Sequence, residues 1–194
     1  MRAHTDIQVR DAESCDAARL AAIYNHYVRS TVITFEETEV PPYEMGLRIT
    51  DTHTKNLPWL VAVHQGQVVG YAYASPWKAR SAYRFAVEVT VYVAAENLRA
   101  GIGRSLYTEL LANLRQKGTQ TAIAGIALPN VESEALHRNF GFEKVAHFKR
   151  VGFKLGRWID VAYWQLGWHD KISDEDCSGS NNYSDRSGTN GNPV

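Results

Sequence analysis

A chain of 194 residues, 44% hydrophobic and 22% charged, has material for one domain whose core needs neither metals nor disulfides to hold it. Its 21 basic and 21 acidic residues cancel, so nothing in the charge favours nucleic acid or an anionic membrane as partner. Cys15 and Cys177 have neither a disulfide-framework nor a metal-site spacing, Met1-Arg2-Ala3-His4 leads into no signal-peptide core, and no apolar run is long enough to cross a bilayer; a cytoplasmic protein without a metal is the expectation.

Ile7 to Arg10 reads as an edge strand. Asp11 or Ser14 is placed to cap the next helix, whose apolar positions Ala17, Leu20, Ile23, Tyr24 and Tyr27 form one stripe. Thr31 to Glu36 is β-branched and expected to be extended, and Pro41-Pro42 opens a second helix that ends before Pro58. Trp59 to Val63 and Val68 to Ala74, joined by Gln65-Gly66-Gln67, predict a hairpin. A basic, aromatic loop from Pro76 to Arg84 follows.

Val87 to Val93 then alternates with period two, the valines at 87, 89, 91 and 93 on one face and Glu88, Thr90 and Tyr92 on the other. After a short polar link, Gly101-Ile102-Gly103 opens a helix with Leu106, Leu110 and Leu114 along one stripe, closing near Gly118. Thr121 to Ala127 predicts another strand, and Asn130 starts a short helix that stops before Gly141. Two long extended stretches, Phe142 to Phe153 and Trp158 to Leu166, flank a turn at Gly156. From Lys171 to Val194 the composition turns to Ser, Asn, Gly and Asp, too polar to offset its ordering entropy, so residues 1–170 are expected to form one domain with a disordered tail. Strands alternating with helices imply an α/β layered domain around one mixed sheet.

Chemistry concentrates between residues 87 and 104. Glycines at a helix start turn backbone N–H groups toward an anion, and the helix dipole favours negative charge there. The pair fits neither a P-loop, which needs a Lys-Ser/Thr ending, nor a dinucleotide fingerprint, whose third glycine would stand at Leu106. A pyrophosphate cradle of backbone amides remains, with Arg99 and Arg104 adding charge; the bland reading is a tight turn. Glu88 fits either the solvated side of a half-buried strand or a general base, and its neighbouring phosphate loop favours the base. Lys78, Arg80 and Arg84, with Trp77 and Tyr83, form either a solvated connection or a cationic clamp for a small acidic substrate. His137 stands on the short helix; His4, His26, His53, His64, His147 and His169 form no triad or metal spacing.

Three features together resemble the GCN5-related N-acetyltransferase superfamily. They are Leu98-Arg99-Ala100-Gly101-Ile102-Gly103 after the central strand, Asn130, and the Leu136-His137-Arg138-Asn139-Phe140-Gly141-Phe142 ending of a helix. Ile23 to Tyr27, Pro76 to Tyr83, Glu88 to Val93, Leu128-Pro129-Asn130 and Gly156 to Val161 narrow the resemblance to phosphinothricin N-acetyltransferases and related amino-acid N-acyltransferases, from Ile7 to Leu166. Two departures from the superfamily pattern stand out: Leu98 replaces the usual Gln or Arg, and His137 replaces a tyrosine, the latter shared with phosphinothricin acetyltransferases.

The resemblance implies a mixed, mostly antiparallel sheet flanked by helices, with central strands that splay. It implies acetyl-CoA as cosubstrate, bound by Val91, Tyr92, Val93, Arg99, Ala100, Gly101, Ile102, Gly103, Arg104 and Asn130. Glu88 would act as base, and His137 would protonate the thiolate or orient Glu88 or the amine. Phe35, Lys78, Arg80, Tyr83, Thr90 and Tyr92 would hold a small amine substrate, with phosphinothricin, methionine sulfoximine or sulfone, and ordinary amino acids all open. A homodimer packed through the last two strands is implied as well. Two competing readings are a non-catalytic acyl-CoA-binding regulator, which would need no base at position 88, and an acetyltransferase of protein or peptide amines, which would need an open groove.

Overall fold

The computed structural model describes residues 7–168; the expected tail, with Cys177, and both His4 and His169 lie outside them. Seven strands form one sheet in the order β1-β2-β3-β4-β5-β7-β6. The strands are β1 (Ile7–Asp11), β2 (Trp59–His64), β3 (Gln67–Pro76), β4 (Ala86–Val93), β5 (Thr121–Leu128), β6 (Glu143–Lys154) and β7 (Arg157–Gly167). Helices α1 (Ala17–Ser30), α2 (Pro42–Thr54), α3 (Ile102–Gln116) and α4 (Val131–Asn139) cover it. Every strand pair is antiparallel except β4 with β5.

The alternation along β4 sorts its side chains between two cores. Val87 and Val89 pack with Leu106, Leu110 and Leu114 of α3, all fully buried. Burying one leucine contributes about 1.5–3 kcal/mol, so this stripe fixes how α3 lies on the sheet. Tyr92, on the opposite face, packs with Tyr24 and Tyr27 of α1 and with Tyr71. The polar-looking face of β4 is therefore no solvated surface.

Two local expectations change. Neither Asp11 nor Ser14 caps α1: Asp11 ends β1, and the Asp16 carboxylate accepts from the Glu13 N–H at 2.8 Å while pairing with Arg10 at 2.7 Å. Thr31 to Glu36 forms no strand. Its polar groups are served by side chains instead of a ladder: Thr31 Oγ1 donates to Tyr27 O at 2.9 Å, Ile33 N–H donates to Thr31 Oγ1 at 3.1 Å, and Glu36 N–H to Thr34 Oγ1 at 3.3 Å.

Candidate active site

The sheet opens in its middle. β4 and β5 pair only through Ala86–Thr121, Val87–Ala122 and Glu88–Ile123; beyond Glu88 the two strands part. Ala94 N–H bonds to Val69 O, and the antiparallel register runs unbroken along β3. Even-numbered residues of β4 therefore bond to β3, which turns the Val91 amide toward the opening. A narrow space of about 60 Å³ lies there, lined by residues 89–92 of β4, residues 124–127 of β5, and Tyr107, Asn130, Ser133 and His137.

At the end of that opening stands α3. Gly101 precedes it with φ +82°, a left-handed conformation that suits glycine, and no side chain caps the helix. The ladder starts with Ser105 N–H to Gly101 O, so the amides of Ile102, Gly103 and Arg104 precede it as free donors. Arg99 and Ala100 are exposed beside them, and Arg99 reaches Glu132 at 3.3 Å. The set suits the phosphates of an extended nucleotide-linked thiol ester: uncapped amides, a positive helix end and flanking arginines. Asn130 serves α4 first, its side chain accepting from Ser133 N–H at 3.1 Å.

Glu88, where the β4–β5 pairing ends, lines a larger cavity of about 630 Å³ that shares Thr90, Tyr92, Gly125 and Ala127 with this opening, and its Oε1 lies 3.5 Å from where a β-carbon on Gly125 would stand. Thr90, Tyr92, Tyr73, Ser75 and Tyr163 bring hydroxyls to the cavity wall, and Phe35, Phe148 and Val151 bring apolar surface. Burial pushes the Glu88 carboxyl above the ordinary carboxylate range, opposed in part by the charge of Lys78. Lys78, Arg80 and Tyr83 themselves do not line this cavity; they line a neighbouring cleft that shares Ser75 with it. The Lys78 ammonium lies 4.5 Å over the Trp77 ring, whose edge meets Tyr163. The basic cluster thus stands beside the cavity instead of inside it, with Lys78 held over Trp77.

His137 is buried, with both ring nitrogens engaged. Nδ1 lies 2.7 Å from the Ser133 carbonyl oxygen, which only accepts, so Nδ1 carries the proton. Nε2 of the neutral ring then accepts from the Tyr107 hydroxyl at 2.9 Å. Burial pushes the imidazole below its usual value and the Tyr107 phenol above its own. Tyr107 was hidden in the sequence as one more residue of the α3 core stripe.

The wall contributed by Thr31 to Glu36 is pinned at several points. Tyr24 and Thr34 hydroxyls meet at 2.6 Å, and the buried Lys154 ammonium donates to Thr34 O at 2.8 Å. Arg48 donates to both Glu36 oxygens, at 2.7 and 3.1 Å. Asn25 brackets Val40 through both backbone groups. Opposite, β6 bulges between Phe148 and Gly152, where Asp160 accepts from Arg150 N–H at 2.8 Å. The bulge turns Phe148 and Val151 into the cavity.

A parted sheet with an uncapped helix at its end is matched by one family model. Residues 9–163 fit the acetyltransferase (GNAT) domain. The chain belongs to the GNAT acetyltransferase family. The acetyltransferase is 38% identical over 159 residues to the phosphinothricin N-acetyltransferase of Streptomyces viridochromogenes, covering 82% of this chain and 86% of that protein. It is 34% identical over 163 residues to the L-amino acid N-acyltransferase MnaT of Escherichia coli, covering 82% and 93%. Among solved structures, yncA of Salmonella typhimurium with its cofactor acetyl-CoA superposes with a TM-score of 0.83 at 31% identity, covering 86% of this chain and 96% of that one. No helix among the described residues of the acetyltransferase is long and apolar enough to cross a membrane.

Proposed function

We propose that this acetyltransferase moves the acetyl group of acetyl-CoA to the amino group of a small amino acid or amino-acid analogue, with Glu88 as general base. One observation carries the reading. The β4–β5 ladder ends at Glu88, which sets this carboxyl between a hydroxyl-lined cavity sized for a small molecule and the opening that leads to the amides of α3.

An amino acid arrives as an ammonium ion and must lose a proton before its nitrogen can attack. Glu88 takes that proton, directly or through a water, and its raised pKa makes it a better acceptor than an exposed glutamate. The Val91 N–H, turned into the opening, donates to the thioester carbonyl oxygen and supports the oxyanion that forms there; its collapse breaks the carbon–sulfur bond, and CoA leaves as a thiolate that takes a proton from water. The amides of Ile102, Gly103 and Arg104 hold the pyrophosphate, with Arg99 and Arg104 adding charge and Ala100 and Gly101 shaping the turn. Tyr92, Val93 and Asn130 flank the chain between these ends. His137, neutral with its Nδ1 proton donated to the Ser133 carbonyl oxygen, is a positioning residue that holds the Tyr107 hydroxyl at the floor of the opening. Thr90, Tyr92 and Phe35 contact the amine substrate, and Lys78, Arg80 and Tyr83 draw its acidic group toward the cavity edge at Ser75.

The protein acts as a homodimer in this reading. Phe153, Leu155 and Trp158 leave apolar surface exposed at the β6–β7 turn, more than a sheet edge ordinarily presents to water. Light scattering is expected to give twice the chain mass; a monomer would remove the dimer.

The names of the relatives support the substrate class. Two of them are a phosphinothricin N-acetyltransferase and an L-amino acid N-acyltransferase. The test is thiol release from acetyl-CoA with phosphinothricin, methionine sulfoximine, methionine sulfone, the common amino acids and a lysine peptide. Saturable release with free amino acids or analogues is expected. Release with the peptide alone would overturn the assignment.

A further inference from the structure

Gly152 has no obvious reason to be glycine. It lies in β6 opposite Ile159, and its φ is not among the left-handed ones. A β-carbon built on it would nonetheless stand 2.3 Å from Phe35 Cε2, 2.4 Å from Cζ and 3.0 Å from Cδ2. The edge atoms Cε2 and Cζ of the Phe35 ring fill the space that a side chain at 152 would take. Ordinary carbon contact is about 3.5 Å, so an alanine methyl would force the ring back by about 1.2 Å.

The ring has one wall behind it and the cavity beside it. Its backbone cannot yield easily, because Thr34 on one side is tied to Tyr24 and Lys154, and Glu36 on the other is tied to Arg48. The adjustment must come from the Phe35 side chain, which is half exposed and lines the cavity. We infer that Gly152 is a specificity-determining residue: the notch it leaves in β6 seats Phe35 and thereby sets the size of the amine cavity. This rests on the reading of that cavity as the acceptor site. The residue touches no reacting atom and acts through Phe35 alone.

The experiment compares Gly152→Ala, Phe35→Ala and the double variant, with KM and kcat for the smallest and the bulkiest amines that the wild type accepts. Gly152→Ala is expected to shift kcat/KM between those two amines by about tenfold toward the smaller, which is the difference a methyl-sized change of pocket makes. KM for acetyl-CoA should stay within about twofold. In the Phe35→Ala background, adding Gly152→Ala should change neither amine. An unshifted ratio, or a shift that persists without Phe35, overturns the inference while leaving the acceptor site intact. Should Phe35→Ala itself leave both amines unchanged, the acceptor-site reading falls and the inference with it. If Gly152→Ala is unstable alone, restored folding in the double variant supports the seat, and instability in both backgrounds overturns it.

Discussion

The two spaces that meet at Glu88 are built from different materials. The opening between β4 and β5 is made largely of backbone: a strand that turns its Val91 amide outward, and a helix whose first amides are uncapped. The cavity on the other side is made of side chains from seven separate parts of the chain, hydroxyls facing aromatic and aliphatic surface. Backbone donors are the same whatever the residue, so the first space suits a ligand that every catalytic cycle shares. Side chains vary one at a time, so the second suits the ligand that distinguishes one enzyme from the next.

The substitution that should damage most is the one at the meeting point. Glu88→Gln is expected to bind acetyl-CoA by calorimetry yet lose about 10²–10⁴ in kcat, the usual span for a general base. Turnover close to wild type would move the base elsewhere.

Next comes the backbone side alone. Gly101→Val places a β-branched residue at a left-handed φ, which costs about 1–2 kcal/mol. A β-carbon there meets no protein atom within 4 Å, so the domain should still fold. The turn must give way, and affinity for CoA should fall by about tenfold or more, a loss of about 1.4 kcal/mol or greater. Unchanged affinity in the folded variant would show that the α3 amides are not the phosphate site.

A smaller, one-sided effect is expected from Arg80→Ala. KM for phosphinothricin should rise several-fold while KM for acetyl-CoA holds, because Arg80 belongs to the cleft beside the cavity, whose lining includes neither a residue of α3 nor the parted stretch of β4 beyond Glu88. Equal changes in both would mean a general loosening of the 76–84 loop.

The smallest effect concerns pH. Burial raises the Glu88 pKa, so the folded protein holds this proton to higher pH than the unfolded chain does. Its contribution to stability is full below the ordinary glutamate value, about 4.3, and is lost as pH rises through the folded value. The acid limb of kcat/KM should accordingly lie above the ordinary carboxylate range. Glu88→Gln should also melt slightly higher than wild type at neutral pH and not at pH 4. A lower Tm for the variant at both would assign the carboxylate a structural role.

The backbone side was legible in the sequence because its signals are local. Alternation from Val87 to Val93 and glycines at 101 and 103 announce a strand, a turn and a helix start within seventeen residues of one another. The side-chain side was only half legible. Thr90 and Tyr92 followed from the same alternation, but the wall at 31–36 depends on Lys154, 120 residues away from Thr34, and on Arg48. β-branched composition suggested extension there, and hydroxyl-to-backbone bonds won instead. Tyr107 was lost for the opposite reason: spacing alone puts it in the core stripe, and only the fold brings His137 to its hydroxyl. The basic loop was legible as a cationic cluster but not in its placement, since charge says nothing about which of two adjoining hollows it will face.

A sheet that divides in its interior keeps two raw margins, each with amides and carbonyls that a stray strand could zip onto. Proteins ordinarily guard such margins at their outer rims with charge, proline or a covering helix. Here the guard is narrowness. Tyr107 and His137, both buried, floor the gap between β4 and β5 and leave no depth there for the second row of side chains that an extended peptide carries. A thin chain of amides without branches is the shape such a slot tolerates.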